Sequence, residues 1–225
     1  MSTVLELYAL GLTRVDEDGE VRARTRDGVR LRLPYERWLG PVDSVDEDLL
    51  ARAVGPVIDL GCGPGRHLHA LARRGVFALG VDISAAAVTI ARDGGGNALE
   101  ACIFGELPGA GTWETALLLD GNIGIGGSPG ALLERIGRLL APGGALLVEL
   151  DPRRPERRVL ELRLESATLA SEWFRWAVVG AEEIAWVADE GGFVLGERWE
   201  LGGRSFARLE RAGQVGGFLS GCRSV

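Results

Sequence analysis

The chain has 225 residues, is 46% hydrophobic and carries a net charge of −7. That size allows one domain with a substantial core and an appended lid, and the acidity argues against broad attraction to nucleic acid or an anionic membrane. Its composition fits a reduced cytoplasmic protein: no apolar run nears the roughly 20 residues of a membrane span, the start lacks a signal-peptide pattern, and three scattered cysteines show no metal-like pairing.

The basic residues are all arginine, so a mechanism needing a catalytic lysine is excluded. In chain order, residues 1–44 read as a separate leading segment. Within it, "VRARTRDGVRLRLP" alternates polar and apolar residues about "RDG". A two-residue turn would mix the faces. A three-residue loop, Arg26-Asp27-Gly28, pairs Val21 with Leu33, Ala23 with Leu31 and Arg24 with Arg30, giving one apolar and one arginine face. "SVDEDLLARA" follows as a helix capped by Ser44.

From residue 45 to 211 the pattern is that of an α/β domain. Strands are predicted at "VIDL" (57–60), "FALGV" (77–81), "ACIF" (101–104), "TALLL" (115–119) and "ALLVEL" (145–150). Helices are predicted at 65–74, 84–92 and 130–140, the last stopped by "APGG". This alternation reads as βαβ units in a parallel sheet. "FVLGERWEL" and "SFARLERA", joined through "GG", read as a closing antiparallel pair after a helix in "EEIAWVADEGG". Residues 152–180 hold two more strand-like runs and read as an insertion beside the substrate mouth. Residues 212–225 read as a tail.

The chemistry centres on "IDLGCGPGRH", residues 58–67, a glycine loop between a strand and a helix. Its glycines are spaced G-x-G-x-G, which departs from the G-x-G-x-x-G of dinucleotide folds, and without lysine it is no P-loop. Asp59 stands two residues ahead, an acid suited to a ligand with a positive end. The pattern D-x-G-x-G-x-G resembles motif I of the class I S-adenosylmethionine-dependent methyltransferases. Asp82, in "GVDIS", lies 19 residues after Gly63, where that family places a ribose-binding acid. "LLAPGGALLVELD" and the closing strand pair extend the resemblance over about residues 45–211.

The resemblance implies a Rossmann-like, doubly wound, mostly parallel seven-stranded sheet with a closing antiparallel β-hairpin, plus the N-terminal hairpin and helix as a lid. It implies S-adenosyl-L-methionine as cofactor, S-adenosyl-L-homocysteine as product, and a small-molecule acceptor. Gly61, Cys62, Gly63 and Gly65 would form the cradle, with Asp59 holding loop amides or, through water, the cofactor's amino group. Asp82 would accept the ribose hydroxyls and Ile83 lie on the adenine. The third strand departs from the family pattern, leaving Gly105 or Glu106 for the adenine amino group. Asp120 and Asn122, in "LLLDGNIGIGG", stand at the carboxyl end of the fourth strand, where such sheets bind ligands. They are candidates for orienting cofactor or acceptor, with no metal implied. Other readings are a non-methylating S-adenosylmethionine enzyme, a non-catalytic binding protein, and, disfavoured by the spacing, a nicotinamide oxidoreductase.

Overall fold

The computed structural model describes residues 3–13, 21–153 and 156–211. Helix α1 (Val4–Thr13) leads into the hairpin β1 (Arg22–Thr25) and β2 (Arg30–Arg32), then α2 (Tyr35–Leu39) and α3 (Ser44–Leu50). The alternating core follows: β3 (Val57–Leu60), α4 (Arg66–Arg73), β4 (Ala78–Asp82), α5 (Ala85–Asp93), β5 (Ala98–Glu100) and β6 (Trp113–Leu118). After a 3-10 turn (Asn122–Gly127) come α6 (Pro129–Gly137), β7 (Leu140–Leu150), β8 (Arg158–Glu165), β9 (Phe174–Val178), α7 (Ile184–Glu190), β10 (Phe193–Leu201) and β11 (Arg204–Arg211).

The expected seven-stranded sheet is present, in the order β10-β11-β7-β6-β3-β4-β5. Five strands run parallel, and the β10–β11 hairpin closes the sheet antiparallel to β7. Strand β3 is buried at all four positions, as a central parallel strand covered on both faces must be. Alternation then sorts the side chains. Ile58, Leu60, Ala116, Leu118, Leu146 and Val148 face a core with α6 and α7, whereas Val57, Leu117, Leu119 and Leu147 face α3, α4 and α5. The chain winds one way from β3 through β5 and returns to β6 on the other side of β3. Their carboxyl ends thus open a crevice where the winding reverses, the usual ligand site of such sheets.

A second sheet, β2-β1-β8-β9, is antiparallel and joins the N-terminal hairpin to the 152–180 insertion. The hairpin has the expected register, Ala23 opposite Leu31 and Arg24 opposite Arg30, with Gly28 at φ +93° in its loop. Pairing of Ala23 with Leu164 and Thr25 with Leu162 then ties it to β8. Leu7, Leu12, Ala23, Tyr35 and Leu164 pack together with Ala87 of α5, a third core under α1.

Three local expectations are corrected. The third parallel strand is Ala98–Glu100, and "ACIF" is a turn whose Ile103 plugs the core. Asp43 caps α3 in a reciprocal box with Asp46, since its carboxylate reaches the Asp46 amide at 2.8 Å. Helix α6 ends at Gly137, and "APGG" bulges within β7, where Trp113 pairs with Leu140 but Thr115 with Ala145. Helix α1 has no counterpart among the predicted elements. The 212–225 tail lies outside the described residues.

Candidate active site

Beyond β3 the chain turns through Gly61-Cys62-Gly63-Pro64-Gly65 into α4. Gly61, Gly63 and Gly65 have φ of +78°, +52° and +86°, a region that strains residues bearing a Cβ. Space makes the same demand at two of them. A Cβ on Gly61 would stand 2.6 Å from Asn122 Nδ2, and one on Gly65 2.7 Å from the Ala91 Cβ. The amides of Gly61 and Cys62 donate to the Val81 carbonyl, anchoring the loop to the end of β4.

Asp82 ends β4 beside this loop. Its Oδ2 accepts the Gly63 amide at 2.9 Å and its Oδ1 accepts the Ser84 amide at 2.8 Å. Burial raises the pKa of this carboxyl; the Ser84 and Gly63 amides pull against that, and the charge of Asp59 adds to it. Ile83 is exposed on the rim. On the other side of β3, the Asn122 amide donates to the carbonyls of Leu60 at 3.1 Å and Gly61 at 2.7 Å. Asn122 therefore braces the loop from the end of β6.

Behind the loop lies a buried ion network that the sequence reading did not anticipate. Arg66, the first residue of α4, bonds Asp46 through Nη1 and Asp120 through Nη2 at 3.0 and 3.2 Å. Arg204 forks onto Glu149 with two bonds of 2.8 Å and reaches Asp46 at 2.7 Å. Glu149 also accepts the Asp120 amide at 2.9 Å. His67 sits between Asp59, 3.6 Å from Nδ1, and Asp46, 3.7 Å from Nε2. Burial alone would lower the pKa of His67, but the two carboxylates outweigh it and raise the value. Burial likewise opposes ionisation of Asp120, yet Arg66, His67 and Arg37 hold its pKa below the ordinary carboxylate value. Asp120 is the one described non-glycine residue at positive φ, +55°, a strained turn held by these contacts.

Apart from Asp46, which lies behind them, these charged groups line one cavity of about 930 Å³. Of the residues singled out from the sequence, Asp59, Gly61, Cys62, Gly63, Asp82, Ile83, Asp120 and Asn122 border it. Gly65 does not; it serves the close approach of α4 to α5. Gly105 and Glu106 are not brought to the cavity either. Glu106 is exposed, the Gly105 amide is spent on the Cys102 carbonyl, and Ala101, Cys102 and Phe104 stand there instead. Burial pushes the Cys62 thiol pKa far up, as suits a packing residue. Tyr8 of α1 also borders the cavity, placed so that a Cβ on Gly63 would come 3.2 Å from its hydroxyl. The far wall is apolar and comes from the second sheet, with Leu160, Leu162, Leu164, Phe174 and Trp176. Trp173 points elsewhere, stacking under Arg26 and Arg163.

A family model described as a methyltransferase domain matches residues 43–197, more than half of the chain. The chain belongs to this family. Its sheet order and crevice are those of the class I S-adenosylmethionine-dependent methyltransferases. Among solved structures, an S-adenosylmethionine-dependent methyltransferase from Bacteroides fragilis in complex with S-adenosyl-L-homocysteine is similar at 23% identity, with a TM-score of 0.75 over 93% of this chain and 94% of that one. The Burkholderia thailandensis 1,6-didemethyltoxoflavin-N1-methyltransferase, with bound 1,6-didemethyltoxoflavin and S-adenosylhomocysteine, is 17% identical, with a TM-score of 0.55 over 74% of this chain and 76% of that one. A trans-aconitate 2-methyltransferase of Paracidovorax citrulli is 34% identical over 130 residues, 54% of this chain and 50% of the relative. The chain thus aligns with about half the length of that curated relative.

The sequence offered one signal for the missed network. An arginine directly after a motif I loop places a guanidinium at the start of a buried helix, where carboxylates are its natural partners.

Proposed function

We propose that this methyltransferase transfers a methyl group from S-adenosylmethionine to a small-molecule acceptor. The supporting observation is the hydrogen bond between Asp82 and the Gly63 amide, which joins the glycine loop and the β4 acid at one cavity. The residues fit the cofactor. The loop is bare at positions a Cβ would fill, and Asp82 keeps lone pairs for ribose hydroxyls beyond the two amides it accepts. When bound, the sulfonium supplies the electrophilic methyl group.

The chain's own contribution is holding, orienting and shielding. Asn122 fixes the loop through Leu60 and Gly61, and Asp120 is locked by Arg66 rather than free to take a proton. Of the other carboxylates bordering the cavity, Asp82 accepts the Gly63 and Ser84 amides, Glu149 holds Arg204 and Asp151 holds Arg153, while Asp59 faces His67 at 3.6 Å. Catalysis then rests on proximity, which can supply roughly 7–11 kcal/mol in favourable cases. The leading segment and the 152–180 insertion act as the lid that keeps water out. Tyr8 extends that lid over the cofactor loop, so it serves the cofactor as well as the acceptor. Among the described residues, no helix is long and apolar enough to cross a membrane.

Incubation with S-adenosylmethionine and acceptors of several chemical classes tests the proposal. Release of S-adenosylhomocysteine with a matching methylated product is expected. Tight cofactor binding without turnover of any class would favour a binding protein, and another product of the cofactor would favour a non-methylating enzyme.

A further inference from the structure

We infer that Tyr8 holds the amino-acid tail of the cofactor, its hydroxyl donating a hydrogen bond to the α-carboxylate. The inference rests on the methyltransferase reading and assigns one further binding residue to the same cavity. Tyr8, from α1, borders the cavity beside Gly63, where a Cβ would come 3.2 Å from its hydroxyl. No described residue hydrogen-bonds that hydroxyl. The ring itself is fixed by two aromatic residues of α2. It meets Trp38 edge-on, with centroids 6.0 Å apart, and lies tilted against Tyr35 at 6.3 Å. Leu7, next to it in α1, packs in one cluster with Ala87 of α5. The hydroxyl is thus held over the loop with its proton unengaged.

What that donor meets follows from how the loop uses its own amides. Those of Gly61 and Cys62 go to the Val81 carbonyl, that of Gly63 to Asp82 and that of Gly65 to the Cys62 carbonyl. Pro64 has no N–H to offer. Every amide of the loop is therefore engaged within the protein. The side chains around it include three acids, Asp59, Asp82 and Asp120, which suit the ammonium, the sulfonium and the ribose hydroxyls. A carboxylate in the same place needs a donor that the loop does not supply. Burial, and after it the charge of Asp82, raises the Tyr8 pKa, so the phenol stays protonated and donates. An O–H bond to a carboxylate is charge-assisted and stronger than one between neutral groups.

The test is calorimetry on the full chain with S-adenosylhomocysteine and with two ligands that lack the carboxylate. One is its decarboxylated analogue, which keeps the adenosine and the amine; the other is 5′-methylthioadenosine, which lacks the whole tail. Tyr8→Phe keeps the ring packing and removes the hydroxyl alone. It should weaken S-adenosylhomocysteine about tenfold or more, and leave the two shorter ligands within about twofold of their wild-type affinity. Unchanged S-adenosylhomocysteine affinity in Tyr8→Phe would overturn the inference. So would an equal loss for S-adenosylhomocysteine and a ligand without the carboxylate, which would mark Tyr8 as a structural residue. If S-adenosylhomocysteine fails to bind the wild type, the methyltransferase reading falls and the inference with it, so the two failures are distinguishable.

Discussion

The two sheets of this molecule meet at one cavity but are built on opposite principles. The seven-stranded sheet grows from βαβ units whose neighbours are close in sequence, and it delivers charge: Asp59, Asp82, Asp120 and Glu149 all stand at or just beyond its strand ends. The four-stranded sheet joins residues 22–32 to residues 158–178 and delivers an apolar wall. On the proposed function, the first half holds the charged cofactor and the second encloses the acceptor.

If the cofactor half is held by its ion network, removing the central cation should do the most damage. Arg66→Met removes the one cation bonded directly to both Asp46 and Asp120, leaving Arg204 on Asp46 and Arg37 3.4 Å from Asp120, and should cost about 3–5 kcal/mol in denaturant unfolding. A loss below about 1 kcal/mol would mean that the network does not stabilise this half.

The comparison sharpens if the two sheets open separately. Leu132→Ala, in the main core, should lower global stability by about 2–5 kcal/mol. Leu162→Ala, in the second sheet, should instead speed amide exchange in β1, β8 and β9 while sparing β3 and β6. Equal exchange in both sheets would show that they unfold as one unit.

Asn122→Ala removes two donors from the loop carbonyls of Leu60 and Gly61 and should cost about 1–3 kcal/mol. Turnover should fall without a shift in its pH profile, because Asn122 carries no proton to exchange. A shifted profile would show that the bracing role is incomplete.

The smallest effect is on pH dependence. The pKa of His67 is raised in the folded state, with Asp46 and Asp59 facing the ring and Arg66 opposing. Its contribution to stability is full below the unfolded value of about 6.5 and is lost as pH rises through the higher folded value. Unfolding measured across that interval should show stability declining with pH in the wild type and a flatter profile in His67→Gln. Identical slopes would remove His67 from the linkage.

The contrast between the sheets also explains what the sequence revealed. The hairpin register was legible because one residue of slip would exchange Ala23 and Leu31 with arginines, and only one loop length avoids it. The glycine loop was legible because its chemistry is local. Strand β5 was misplaced because "ALE" carries a weak apolar signal, while "ACIF" carries a strong one that Ile103 uses to plug a turn. The pairing of β1 with β8 has no local signature, since neither strand alone indicates its partner. The ion network was hidden for the same reason. Asp46, Arg66, Asp120, Glu149 and Arg204 look like ordinary charged residues until the sheet brings them together.

The central claim is that the glycine loop and Asp82 form a site for S-adenosylmethionine, and titration calorimetry with S-adenosylhomocysteine and NAD tests it most directly. The wild type should bind S-adenosylhomocysteine and not NAD, and Asp82→Ala should weaken that binding by about 1.5–3 kcal/mol, the worth of charge-assisted bonds to the ribose. Binding of NAD alone, or undiminished S-adenosylhomocysteine affinity in a folded Asp82→Ala variant, would contradict the account.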